Sequence, residues 1–157
     1  MFRLFKRRNG IIIRPARPAD AAELNYLHAQ GFERAWSAHE FESLLSAQNV
    51  VAHLAVSRQP RGFVLSRLAG DEAEILSIVV VRNARRQGIG ADLMRHHLAA
   101  MSERGARSLY LEVALMNLAA VHLYQSFAFR EVGRRKSYYR QADGSRADAL
   151  IMFRELG

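Results

Sequence analysis

Apolar and polar positions change period several times along the chain, and each change marks an element. Ile11-Ile12-Ile13-Arg14 reads as a first strand. Pro18, followed by Asp20 and Glu23, opens a helix that runs to about Phe32 with Leu24, Leu27, His28 and Gly31 on one face. Ser37-Ala38-His39-Glu40 has capping-box spacing, so a second short helix runs to about Ala47 and buries Phe41, Leu44 and Leu45. Val50 to Ser57, Gly62 to Ala69 and Glu74 to Val81 are strands, separated by the turn residues Gln59-Pro60-Arg61-Gly62 and Gly70-Asp71. Such short links imply an antiparallel meander. Beyond a loop, Gly88 to Arg104 is helical and Gly105 stops it, Ser108 to Ala114 is a strand, and Asn117 to Phe127 is a helix. Phe129 to Ser137 and Ala147 to Arg154 are closing strands joined across an Asp143-Gly144 turn. The order β-α-α-β-β-β-α-β-α-β-β predicts an α/β (α+β) domain with a mixed, mostly antiparallel central sheet flanked by helices.

Composition narrows the chemistry. A chain of 157 residues that is 50% apolar makes one domain with a real core. Cysteine is absent, which excludes disulfides, Cys-ligated zinc and thiolate nucleophiles. Strongly apolar runs reach only the length of Ile78-Val79-Val80-Val81, against about 18 residues for a membrane span. The opening Met1 to Arg8 breaks into charge instead of a signal-peptide apolar stretch, so the expected compartment is the cytoplasm. With 23 basic and 15 acidic residues the net charge is +8, which favours an anionic partner such as RNA or a phosphorylated ligand. Only Lys6 and Lys136 are lysines; the arginines are scattered, as on an ordinary solvated surface. Residues 1–10 form a basic, loosely ordered extension before a domain spanning 11–157.

Arg85-Arg86-Gln87-Gly88-Ile89-Gly90 lies between an apolar strand and an amphipathic helix. Glycines at such a junction leave backbone N–H groups open at a helix N-terminus, where the helix dipole also favours an anion. A dinucleotide-dependent oxidoreductase would place a small residue at the sixth position and an acidic residue about 20 further on. Glu112 fits that spacing, but the sixth place is Leu93 and a hairpin meander precedes the loop. A non-catalytic basic ribosome- or RNA-binding module is the other alternative; it has no need of the Glu112 and Tyr124 pair. Glu112 interrupts Leu109, Leu111 and Val113 in a central strand, where a carboxylate must reach water or a cleft, and it is the candidate general base. The Tyr124 phenol can donate a proton, although Ala120, Leu123, Tyr124 and Phe127 equally make a core stripe. The six histidines show no metal-ligand spacing, and no metal is expected.

The R-x-x-G-x-G pattern after Ile75-Leu76-Ser77-Ile78-Val79-Val80-Val81 resembles the acetyl-CoA pyrophosphate loop of the GNAT acyltransferase superfamily. Trp36-Ser37, Leu111-Glu112-Val113, Asn117-Leu118-Ala119-Ala120, Leu123-Tyr124, Tyr138-Tyr139, Asp143-Gly144 and Asp148 to Met152 follow in the order of one branch. That branch is similar to the bacterial ribosomal-protein-alanine N-acetyltransferases, and the likeness runs from about Ile11 to Leu156. The resemblance implies acetyl transfer from acetyl-CoA to a protein N-terminal α-amine, that of a small-subunit ribosomal protein, with a lysine or small amine as the alternative acceptor. It implies that Glu112 is the base and Tyr124 the acid. It assigns acetyl-CoA contacts to Ile78, Val79, Val80, Arg85, Arg86, Gln87, Gly88, Ile89, Gly90, Asn117 and Tyr124, and the acceptor side to Phe32, Trp36, Tyr138 and Tyr139. Asn117 is also positioned as an N-cap. The chain departs from the branch at Arg82, where proline is usual, at Ala128, where glycine is usual, and in a final hairpin one residue longer near Ser145. If position 128 needs positive φ, alanine there costs about 1 kcal/mol.

Overall fold

The computed structural model describes residues 5–6, 10–32, 34–85, 87–141 and 143–157. Its strands are β1 (Phe5–Lys6), β2 (Ile12–Pro15), β3 (Val50–Ser57), β4 (Gln59–Ala69), β5 (Glu72–Val80), β6 (Ser108–Ala114), β7 (Arg130–Arg140) and β8 (Arg146–Glu155). The helices are α1 (Ala21–Gly31), α2 (Ala38–Ser46), α3 (Ile89–Glu103) and α4 (Leu118–Ser126). The strands form one sheet in the order β1-β2-β3-β4-β5-β6-β8-β7. Only β5 and β6 run parallel; every other neighbouring pair is antiparallel. The expected mixed, mostly antiparallel sheet is therefore present, with β1 added on the backbone of Phe5 and Lys6 against Ile12 and Ile13.

Helices cover both faces. On β4, Phe63 meets His28 of α1 and Phe41 of α2, whereas Ser66, an odd number of residues on, meets His97 of α3. Leu24, Leu27, Phe41, Phe63 and Leu65 are fully buried on the first side, and Leu93, Met94 and Met101 of α3 are fully buried on the second. Local chemistry sets the helix ends. Ser37 Oγ accepts from Glu40 N at 3.1 Å while the Glu40 carboxylate accepts from Ser37 N at 3.2 Å, the expected capping box. At the end of α3, Gly105 takes φ +89°; Gly105 N donates to Ser102 O and Ala106 N to Met101 O, the paired bonds of a Schellman motif.

Two turns differ from the sequence expectation. The β3–β4 hairpin closes at Arg58, with φ +60°, and Gln59-Pro60-Arg61 belong to β4 rather than to a turn. Pro60 is tolerated there because the register shifts between Ala55 and Val56, a bulge that spares the missing N–H. The helix expected from Pro18 starts as a 3-10 turn, Pro18–Asp20, before α1. Asp20 holds that turn in place, its carboxylate taking two bonds of 2.8 Å from Arg14 and one from Arg17 N.

Ala128 adopts φ +65°, the left-handed conformation that costs a residue with a Cβ. Ala128→Gly is expected to stabilise the fold by about 1 kcal/mol in urea unfolding; an unchanged or lower midpoint would refute the strain.

A second prediction concerns the histidines beneath α3. His53 Nδ1 lies 2.8 Å from His97 Nδ1, and His97 Nε2 lies 2.6 Å from Ser66 Oγ. Burial lowers the His53 pKa to about 3, helped by His96, and holds His97 well below its ordinary value. Both rings are neutral when folded, whereas the unfolded chain takes up protons as pH falls through about 6.5. The unfolded state thus binds more protons in the window between those values, and stability falls as pH falls. By pH 5, His53 alone removes about 2 kcal/mol. Urea midpoints measured from pH 7.5 to 4.5 check this, and His53→Leu is expected to flatten the dependence.

Candidate functional site

The site lies where β5 and β6 separate. Their pairing runs from Glu72↔Ser108 to Ile75↔Leu111 and stops, while β5 continues to Val80 and β6 to Ala114. A bulge around Leu76, where Leu65 pairs with Ser77 and Ser66 with Ile75, twists β5 at the point of separation. Ile78, Val79 and Val80 remain paired to β4 through Val64, Phe63 and Gly62, so the opposite edge of their backbone lines the opening. An edge of N–H and C=O groups beside a cleft suits an extended amide-bearing ligand. Gly62 makes the close approach possible, since a Cβ there would lie 2.6 Å from Val79 O.

At the end of β5 the chain turns through a 3-10 segment, Arg82–Ala84, into the glycine loop. Gly88 caps α3 with φ +76°, and Ile89 is buried beneath the helix start. Gly90 sits against α4 and β5: a Cβ would meet Leu123 at 3.3 Å and Val80 at 3.7 Å. Arg85 and Gln87 are exposed, and Arg85 Nε donates to Val80 O at 3.2 Å, tying the loop to the strand end. Arg86 lies outside the described residues. This first turn of a 15-residue helix offers N–H groups and the positive dipole end, and the residues present fit a pyrophosphate.

Glu112 lies just past the last β5–β6 pair, opposite Ile151 of β8, with its side chain 24% exposed. It forms an ion pair with Arg135, whose Nε is 3.0 Å from Oε1. Arg135 carries no local signal in the sequence, because its placement depends on register. Between Arg135 and Tyr139, β7 carries extra residues relative to β8, with Ser137 at φ +52° and its N–H bound to Asp148 Oδ1 at 2.9 Å. The bulge turns Arg135 toward Glu112, stacks its guanidinium 5.4 Å above the Tyr138 ring and leaves Tyr138 half exposed. Tyr139 interacts electrostatically with both candidate catalytic groups. Burial raises its pKa, and the charge of Glu112 raises it further.

Tyr124, on α4, is 5% exposed, and its ring packs edge-on to Phe129 at 5.9 Å. Burial, with a smaller contribution from Tyr139, raises its pKa above the ordinary tyrosine value, so the phenol keeps its proton. Asn117 caps α4, its Oδ1 accepting from Ala120 N at 3.3 Å, which leaves Nδ2 for another partner.

Phe32 and Trp36 flank the loop between α1 and α2. Phe32 is 44% exposed, and Trp36 packs at 5.4 Å against Phe41. An open depression of about 390 Å³ lies over the paired segment of β5 and β6 and reaches Glu112, bordered by Arg67, Glu72, Glu74, Tyr110, Glu112 and Arg135. Three carboxylates face two guanidiniums there, and Glu112 is paired with Arg135. No group of three or more His, Asp or Glu side chains arranged to hold a metal occurs among the described residues, and no described helix is long and apolar enough to cross a membrane.

Comparison with known proteins agrees with this architecture. Residues 12–129 match the model of the acetyltransferase (GNAT) family. The chain is 35% identical over 117 residues to the [ribosomal protein bS18]-alanine N-acetyltransferase of Escherichia coli K12, covering 74% of this chain and 78% of that protein. The crystal structure of the Escherichia coli ribosomal-protein-S18-alanine N-acetyltransferase superposes with a TM-score of 0.86 at 28% identity, covering 94% of each chain. Arabidopsis thaliana NAA60 in complex with acetyl-CoA shares the fold, with a TM-score of 0.80 at 24% identity over 93% of this chain and 98% of that one. The chain belongs to the acetyltransferase (GNAT) family, whose acetyl donor is acetyl-CoA, and is an N-acetyltransferase of that family.

Proposed function

We propose that the protein transfers the acetyl group of acetyl-CoA to a protein N-terminal α-amine, and that its acceptor is the N-terminal alanine of a small-subunit ribosomal protein. The observation that carries this reading is the β5–β6 separation, which opens beside the Gly88–Gly90 loop and carries Glu112 at its start. The two Escherichia coli proteins compared above, named as alanine N-acetyltransferases of a ribosomal protein, support the same acceptor.

The residues divide the work by chemistry. Gly88, Ile89 and Gly90 amides, with Arg85, Arg86 and Gln87, hold the pyrophosphate. The backbone of Ile78 to Val80 and Asn117 Nδ2 meet the amides of the pantetheine arm, and N–H donors at the strand end polarise the thioester carbonyl. Phe32, Trp36, Tyr138 and Tyr139 receive the acceptor. Glu112 takes the proton of the acceptor amine, the new C–N bond replaces the C–S bond, and Tyr124 returns a proton to the departing sulfur. An α-amine is about 10–20% neutral at pH 7, whereas a lysine is neutral in under about 0.1% of molecules, so an α-amine demands less of this base. Transfer is direct, because the chain has no cysteine to carry an acyl group and no nucleophilic serine motif.

Intact-mass analysis of small-subunit ribosomal proteins incubated with enzyme and acetyl-CoA tests the acceptor: one acetyl on a single N-terminus is expected, and modification confined to lysines would overturn it. Gly90→Asp tests the donor seat, since it places a side chain against Leu123 and a negative charge beside a pyrophosphate. Calorimetry is expected to show acetyl-CoA affinity lower by about tenfold or more. Unchanged affinity, or tight NADH binding by the parent, would contradict the assignment.

A further inference from the structure

Helix α1 grips the loop that follows it through one residue. Asn25 Nδ2 donates to Trp36 O at 2.7 Å, and Trp36 N donates to His28 Nδ1 at 3.0 Å. Both backbone polar groups of Trp36 are thus bound by side chains of a helix that ended five residues earlier. The His28 ring is also the middle layer of a stack. It lies 4.4 Å from Phe32 and 4.7 Å from Trp36, each at an interplanar angle of 24°, and meets Phe41 edge-on at 5.5 Å. It is 3% exposed. An acceptor nitrogen at Nδ1 requires the neutral imidazole, which burial favours; the charged group acting on the ring from α2 is Glu40.

A leucine would fill this apolar surrounding without the cost of burying a polar ring. What imidazole and carboxamide add is direction: two bonds that fix the Trp36 peptide and a stack that fixes the planes of Phe32 and Trp36. We infer that Asn25 and His28 are positioning residues that hold Phe32 and Trp36 as a rigid wall of the acceptor site, and thereby set acceptor affinity without taking part in acetyl transfer. The inference rests on the reading above that Phe32 and Trp36 face the acceptor. A preformed wall spares the peptide the cost of ordering the loop as it binds.

Steady-state kinetics with a peptide bearing a free N-terminal alanine test the clamp. His28→Phe keeps an aromatic ring in the stack but removes the nitrogen acceptor; Asn25→Leu removes the other bond. Each is expected to raise the KM for peptide about tenfold while the KM for acetyl-CoA and kcat stay within about twofold. His28→Asn places an oxygen where Nδ1 stood and is expected to recover most of the peptide KM. Should His28→Phe fail to fold, Asn25→Leu, at a half-buried position, carries the same test. Trp36→Ala separates the two claims. If it leaves the peptide KM unchanged, the loop is not the acceptor wall and both claims fall. If it raises the peptide KM while folded Asn25→Leu and His28→Phe do not, the clamp alone is overturned. An equal rise in both KM values would overturn it as well.

Discussion

Glu112→Gln is expected to lower turnover at pH 7 by about 10²-fold or more, the range of a lost general base, and to leave acetyl-CoA affinity unchanged. Glutamine keeps the side-chain length and can still accept a bond from Arg135, so the cross-strand contact survives in altered form. What disappears is the ability to take a proton from the acceptor amine. Raising the pH increases the neutral fraction of an α-amine without help, and the variant should therefore regain part of its rate between pH 7 and 9. The Arg135 guanidinium sharpens this test. Its fixed positive charge beside the carboxylate disfavours a cationic ammonium at that place, and so favours the neutral form of an acceptor amine seated there. A loss of less than fivefold, or a loss that pH does not relieve, would remove Glu112 from the proton path.

Tyr124→Phe should cost a similar factor of about 10² through the other end of the reaction, the departing sulfur. Burial raises the phenol's pKa, which keeps it protonated across the working pH range. Phenylalanine preserves the ring against Phe129 and hence the packing of α4. The pH responses of the two variants should separate: a missing proton donor is not replaced by raising the pH, so Tyr124→Phe stays slow where Glu112→Gln recovers. Parallel recovery of both would mean that Tyr124 serves only the core stripe of α4.

Features set by local chemistry were legible in the sequence, and features set by register were not. The Ser37–Glu40 capping box, the Gly105 stop and the Gly88–Gly90 helix start each follow from a few adjacent residues, and each is where the sequence placed it, whereas the positive φ of Ala128 enters only as a condition raised by the resemblance. Pro60 outweighs Arg58 as a turn signal in the sequence, but the structure absorbs the proline at a bulge and turns at Arg58. The Glu112–Arg135 pair depends on how β6, β8 and β7 slide past one another and on the bulge at Lys136–Tyr138. The buried His53–His97 bond joins residues 44 apart in the chain and has no local signature. Asn25 and His28 repeat this lesson. Their helical spacing places both near one face of α1, but only the folded loop reveals that they meet the two ends of one peptide group.

The central claim is that the acceptor is an N-terminal α-amine. It is tested most directly by a pair of peptides of identical sequence carrying an internal lysine, one with a free N-terminal alanine and one with that terminus blocked. Initial rates with acetyl-CoA at pH 7 are expected to be high for the free peptide and at least about 10²-fold lower for the blocked one, in proportion to the scarcity of neutral lysine. Equal rates for the two peptides, with acetyl found on the lysine, would contradict the account.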